Sequence, residues 1–149
     1  MALQIESPRP DDRQAIMTLL EQGQLLTADL PAGLPDFVIA REDGAPVGVA
    51  GLERFGSVAL LRSVAVDPAH QGKGIAGTMI EQLLARVDAA RLRELYLITT
   101  TADRYFERYG FAPVSRELVP PAIQQTRQFS GLCPSSAVVM KRTLNQESA

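Results

Sequence analysis

Apolar residues recur along this chain with two different periods, and the switches between them mark its elements. Leu3 to Glu6 can form a short first strand. Ala15, Ile16, Leu19 and Leu20 then return at helical spacing behind Asp11 and Asp12, which predicts a helix over about residues 10–22. Gly23, Pro31, Gly33 and Pro35 break the next stretch into a loop. Phe37–Arg41, Val47–Glu53 and Val58–Val66 are rich in β-formers. Asp43-Gly44 and Phe55-Gly56-Ser57 separate them as turns, so three consecutive antiparallel strands are predicted. A glycine-studded turn follows, and then Ile75, Met79, Ile80, Leu83, Leu84 and Val87 form one helical stripe. Residues 94–100 read as a buried strand, and "ADRYFERYGF" as a short helix stopped at Gly110. Val114 begins another strand, "PPAIQQTRQFSGL" is a proline-started helix, and "SSAVVMKR" is the last strand. The order is β-α-loop-β-β-β-α-β-α-β-(α)-β, a mixed α/β fold.

Composition narrows the class. The chain has 149 residues, enough for one domain with a real core, and we expect a single domain over 1–149. A net charge of −2 gives no field that would gather nucleic acid or bind a membrane surface. Cys133 has no second cysteine to pair with, which fits a reducing compartment. The start of the sequence, "MALQIESPRPDD", has neither the basic nor the apolar part of a secretory signal. A cytoplasmic, soluble protein without a metal site is the expectation.

The segment Gly72-Lys73-Gly74-Ile75-Ala76-Gly77 matches G-x-G-x-x-G between a strand and a helix. Glycine lets the backbone approach a phosphate, and the first N–H groups of a helix lack intrahelical partners and favour an anion. A phosphate site is one reading, and a tight strand–helix connection is the other. A dinucleotide site requires the motif directly after the first strand and a carboxylate at the end of the next one. Here three strands precede it, "DPAHQ" intervenes, and the next strand ends in Thr99-Thr100-Thr101. The P-loop pattern fails as well, because no Lys-Ser/Thr pair stands at the required spacing.

Read as Gln71-x-x-Gly74-x-Ala76, the stretch resembles the acetyl-CoA pyrophosphate loop of the GCN5-related N-acetyltransferases (GNAT). "SVAVDPAHQGKGIAGTMIEQLL" is similar to that family's strand-loop-helix core, and "ADRYFERYGFAPV" to its downstream helix and strand. The resemblance covers about residues 3–142, with 143–149 as a tail. It implies a twisted, mostly antiparallel sheet of about seven strands, splayed in the middle and flanked by helices. It implies acetyl-CoA as co-substrate, with the backbone of Val64, Ala65 and Val66 pairing with the pantetheine arm. Gln71, Gly72, Lys73, Gly74, Ile75, Ala76, Gly77 and Thr78 would hold the pyrophosphate, and Phe106 would line the cofactor. Strands 58–66 and 94–100 would part to admit the arm. The acceptor is a small-molecule amine that attacks the thioester directly, and a homodimer is allowed.

Two departures from that family shift the chemistry onto other residues. The usual tyrosine that protonates the departing thiolate is replaced by Phe106, so Tyr105, Tyr109 or water is left as donor. The strand over 58–66 has no carboxylate, which leaves Glu53 as the substitute base. Arg62 and Ser63 interrupt an apolar strand, and Arg62 serves either an ion pair or a ligand carboxylate. Arg116 and Cys133 are further acceptor-side candidates, while His70 is assigned no catalytic role. "LLRSVAV", "LYLITTTADRYFERYGF" and "PAIQQTRQFSGLCPSSAVVM" resemble the arsenic-resistance branch of the family, which implies a zwitterionic acceptor such as the arsenical glutamate mimic arsinothricin. A non-catalytic acyl-CoA-binding module and a dinucleotide-binding protein are the rival readings.

Overall fold

A computed structural model describes residues 3–25, 27–99, 102–126, 129 and 137–143. Seven strands run β1 (Leu3–Glu6), β2 (Phe37–Glu42), β3 (Ala45–Phe55), β4 (Val58–Val66), β5 (Glu94–Thr99), β6 (Ala112–Pro113) and β7 (Val138–Thr143). The helices are α1 (Arg13–Gln22), α2 (Ile75–Ala89), α3 (Asp103–Glu107) and α4 (Pro121–Gln124). One sheet has the order β1-β2-β3-β4-β5-β7-β6. Its β4–β5 pair is parallel, from Val58↔Glu94 to Leu60↔Tyr96, and β1–β2, β2–β3, β5–β7 and β6–β7 are antiparallel. The mixed, mostly antiparallel sheet matches the expected class.

Two boundaries differ from expectation. The first helix opens with a 3₁₀ turn over Pro10–Asp12 before α1 proper. The strand expected from Val114 is instead Ala112–Pro113, although the Val114 N–H still donates to the Val139 carbonyl of β7 at 2.9 Å. Of the helix expected from "PPAIQQTRQFSGL", the described part is α4 and a helical Phe129, Thr126 Oγ1 donates to the Ile123 carbonyl just past α4, and residues 127–128 and 130–132 of that expectation lie outside the described residues.

The chain divides into two compact units, Met1–Leu52 with Ser63–Arg86, and Glu53–Arg62 with Val87–Ala149. The first has a core of Ile16, Leu19, Leu20, Leu30, Leu34, Phe37, Ile39, Val49 and Ala65. Its β2–β3 hairpin turns at Asp43 and Gly44, both left-handed with φ 52° and 87°, the geometry of a type I′ turn. Phe37 pairs with Gly51, and a Cβ there would sit 2.5 Å from the Phe37 ring, so the glycine makes room for the aromatic. A buried ion pair ties the start of α1 to the sheet. Arg41 donates to Asp12 through Nη2 and to Glu6 through Nε at 2.6 Å. Burial alone would push the Asp12 carboxyl up, but the Arg9 N–H and the Arg41 guanidinium outweigh it and hold the group below its ordinary range.

The second unit packs Leu60, Tyr96, Val119, Ile123 and Val139 together. The Tyr96 hydroxyl donates to Glu94 at 2.8 Å, and Lys141 lies 3.0 Å from the other oxygen of that carboxylate. Burial and the Glu94 bond push the Tyr96 phenol up. This trio closes the β5–β7 ladder and keeps a buried phenol satisfied.

Candidate active site

The glycine turn lies in the first unit. β4 ends at Val66, a 3₁₀ turn covers Pro68–His70, and α2 starts at Ile75. Gly72 and Gly74 are left-handed, with φ 84° and 79°. A Cβ at either would meet nothing within 4 Å, so backbone conformation and not packing requires glycine at both. Thr78 returns to the turn through its N–H and its hydroxyl, at 3.1 and 3.0 Å from the Gly74 carbonyl. The Gln71 side chain donates to the Val66 carbonyl at 3.1 Å and fastens the turn to the end of the strand. The N–H groups opening α2 have no carbonyl one turn behind them, and they carry the positive end of the 15-residue helix. Gln71, Gly72, Lys73 and Gly74 are exposed, and Ile75 is buried and anchors the helix. Open space over left-handed glycines at a helix N-terminus is suited to a phosphate.

Three side chains that the motif does not contain brace this turn. Asp67 accepts from the Ala69 N–H at 3.1 Å, and the Asp67 N–H reaches the Val47 carbonyl at 2.8 Å. His70 lies between two carboxylates, with Nδ1 2.8 Å from Asp67 and Nε2 3.1 Å from Glu42 at the end of β2. Lys73 is half-exposed with Nζ 3.9 Å from the same Glu42 oxygen. The spacing Asp67-x-x-His70 was visible in the sequence, but the Glu42 contact spans the β2–β3 hairpin and was not.

In the second unit, Arg62 Nη1 donates to Glu53 Oε1 at 2.9 Å. The Arg62 side chain is fully buried, whereas Glu53 keeps 25% of its side chain exposed. Of the two roles open to Arg62, the geometry carries the internal ion pair. Strict alternation would put Arg62 and Val64 on one face, but Ser63 between them is left-handed at φ 59°. A left-handed residue within a strand breaks the two-residue alternation of side chains. Ala65 is buried, while Val64 and Val66 are half-buried.

The aromatic group of α3 lies in the same unit. Phe106 is buried, edge-on to Tyr105 at 5.3 Å and to Phe111 at 6.0 Å between ring centroids. Tyr105 and Tyr109 are half-buried, their hydroxyl oxygens 3.4 Å apart. The Arg108 guanidinium lies 4.8 Å from the Tyr105 ring centre. Gly110, left-handed at φ 90°, turns the chain after the helix. Arg142 donates to the Tyr109 carbonyl at 2.6 Å and holds that turn against β7. Arg116 is turned to the chain itself, donating to the Ala137 carbonyl at 2.9 Å. Cys133 falls outside the described residues.

Against this geometry the comparisons with known proteins are specific about class. The acetyltransferase (GNAT) domain model matches residues 34–113, more than half of the chain. This chain belongs to the GNAT acetyltransferases, whose co-substrate is acetyl-CoA. Among curated proteins it is similar to an amino-acid acetyltransferase of Salmonella typhi, 28% identical over 121 residues, covering 78% of this chain and 26% of that protein. The chain thus spans about a quarter of the length of the curated relatives it matches. Its fold is similar to about a third of N-acetylglutamate synthase from Neisseria gonorrhoeae complexed with coenzyme A and N-acetyl-glutamate, with TM-score 0.81 and 20% identity over 96% of this chain and 35% of that one. Rv2747 from Mycobacterium tuberculosis, in complex with CoA, matches with TM-score 0.80 and 22% identity over 95% and 99% of the two chains. Among the described residues no helix is long and apolar enough to cross a membrane.

Proposed function

We propose that this chain transfers the acetyl group of acetyl-CoA to the amine of a small amino-acid acceptor of the glutamate type. The observation that carries the cofactor half is the pair Gly72 and Gly74, left-handed under open space and leading into α2. The Gln71–Thr78 segment receives the pyrophosphate through backbone N–H groups, and the Val64–Val66 backbone receives the pantetheine amides. The acceptor class is supported by relatives named as amino-acid acetyltransferases and by a fold neighbour holding N-acetyl-glutamate.

In the reaction the neutral amine attacks the thioester carbonyl, the new C–N bond forms, the C–S bond breaks, and the thiolate takes a proton. Glu53, anchored through one oxygen by Arg62 and still partly open to solvent, receives the acceptor ammonium or its proton through water. Tyr105 and Tyr109, with hydroxyls in mutual reach, are the candidate acids for the thiolate in place of the buried Phe106. An arsenical glutamate mimic such as arsinothricin is the detoxification form of the same acceptor class. It rests on the sequence resemblance alone.

The test measures CoA thiol release from acetyl-CoA with a panel of amino acids and their phosphonate and arsenical analogues, beside calorimetric titration with acetyl-CoA and NADH. Thiol release with glutamate-like amines and tight binding of acetyl-CoA alone is the expected result. Binding of acetyl-CoA without thiol release for any amine would make the chain an acyl-CoA-binding module.

A further inference from the structure

The Asp67–His70–Glu42 arrangement raises an electrostatic question. Two carboxylates stand at the entrance of a turn proposed to hold a diphosphate, Asp67 on the entering loop and Glu42 at the end of β2. Unopposed, they would repel the ligand that the turn is built to receive. Between them lies a single imidazole, in contact with one carboxylate through each ring nitrogen. A neutral imidazole has one N–H and one lone pair, so one of these contacts would set a lone pair against a carboxylate oxygen. Both are attractive only when both nitrogens carry protons. The ring is half-buried, and the charged groups facing it are Asp67 on its own segment, Glu42 from β2, and Lys73 beyond Glu42.

We infer that His70 is a positioning residue for the cofactor: as an imidazolium it ties the entrance of the 71–78 turn to the end of β2 and neutralises the carboxylate charge beside the pyrophosphate. The link acts across the hairpin, because Glu42 is 28 positions from His70 in sequence (70 − 42) yet only 3.1 Å away. It works with two fixed backbone points, the Asp67 N–H on Val47 and the Gln71 side chain on Val66, so the entering loop is held from three sides. Loss of the ring proton removes one contact and one positive charge together. Affinity for CoA is therefore lower wherever the ring is neutral. The inference rests on the reading of the turn as the pyrophosphate site.

The experiment measures the Kd of CoA by calorimetry from about pH 5.5 to 8.5, the range that brackets histidine, for the wild type, His70→Ala, His70→Arg and Gly74→Asp, with melting temperatures for each. CoA's phosphomonoester titrates with a pKa near ~6, so His70→Arg, a cation that can reach both carboxylates at every pH, supplies the correction. The expected result is a roughly tenfold weaker Kd for His70→Ala near pH 6, about one unit of log K or 1.4 kcal/mol. His70→Arg should stay within about threefold of the wild type at pH 6 and bind more tightly than it at pH 8.5, a factor under half a log unit at the lower pH. A wild-type profile that runs parallel to that of His70→Arg overturns the inference and needs no alanine variant to fold. So does a His70→Arg protein as weak as His70→Ala, which would mean that ring packing and not charge matters. If folded Gly74→Asp binds CoA like the wild type, the pyrophosphate reading itself falls, and with it this one.

Discussion

The glycine turn and the α3 aromatic group are built from different materials. The turn between Val66 and Ile75 presents main chain, two left-handed glycines and the N-terminus of a helix, braced by side chains on backbone carbonyls and by His70 between Asp67 and Glu42. The candidate chemistry of the second unit rests on two side-chain pairs, the Arg62 guanidinium on the Glu53 carboxylate and the Tyr105 phenol beside that of Tyr109. A diphosphate is a common ligand, and backbone N–H groups can bind it in the same way in many proteins. An acceptor and a thiolate need particular acids, bases and charges, so that half can be rebuilt with other residues. Phe106, where the sequence resemblance leads one to expect a tyrosine, fits that view.

The largest expected effect tests whether the side-chain region is held together as described. Glu53→Ala leaves the buried Arg62 guanidinium without that carboxylate, and one-sided loss of a buried ion pair costs about 3 kcal/mol. For a domain of this size that is a fall in melting temperature of roughly 10 °C. Arg62→Leu removes the buried charge itself and should cost less. If both variants melt with the wild type while the acceptor KM rises for Arg62→Leu, then Arg62 serves the substrate and the ion pair is incidental.

The next effect separates the two phenols from water. With Tyr105 as donor, Tyr105→Phe lowers kcat by about 10²-fold, a typical share for a general acid, and Tyr109→Phe has a smaller effect through the shared hydroxyl contact. The double variant at wild-type kcat would assign the proton to water. Binding of acetyl-CoA should be unchanged in all three, because neither hydroxyl is assigned to the pyrophosphate.

The main-chain region has its own break point. Gly74→Asp forces a side chain into a left-handed position and sets a carboxylate over the helix N-terminus. We expect acetyl-CoA to bind about 30-fold more weakly, roughly 2 kcal/mol. The open space over the Cβ position means that the fold itself should lose little beyond backbone strain. An unchanged Kd in a folded protein would remove the turn from the site.

The same contrast explains what could be read from the chain. The turn's geometry was legible because it is written in local sequence, glycines at fixed spacing between a strand and a helix. The strands and the Asp43-Gly44 hairpin were legible for the same reason, since period and turn residues are local. The left-handed backbone at Ser63 was not, because serine has no intrinsic preference for φ 59° and takes it through its surroundings. Nor was the pairing of His70 with Glu42, or of Arg41 with Asp12, which join segments 28 and 29 residues apart. An arginine in a β-rich run such as 37–41 signals a buried partner, but the sequence does not say which carboxylate is folded against it.

The smallest expected effect is a control that places a side-chain pair in the same unit as the glycine turn. Asp12 is buried, and its carboxyl is held below its ordinary range once the Arg9 N–H and the Arg41 guanidinium have outweighed burial. A carboxylate with a lowered folded-state pKa contributes stability that is fully present above its unfolded value near ~3.9 and is lost as pH falls through the folded value. Asp12→Asn removes that contribution, so at neutral pH it should cost about 1 kcal/mol, the scale of one hydrogen bond, with Glu6 still on Arg41. The gap in melting temperature between wild type and variant should close as pH drops below about 4. CoA affinity should stay the same at pH 7, because the pair holds β2 and α1 and not the turn. A widening gap in acid would reverse the sign of the Asp12 shift. A CoA affinity that falls with Asp12→Asn would mean that the turn depends on the side-chain network of Asp12, Arg41 and Glu6 as well as on its own brace through Glu42, and the contrast between the two regions would fail.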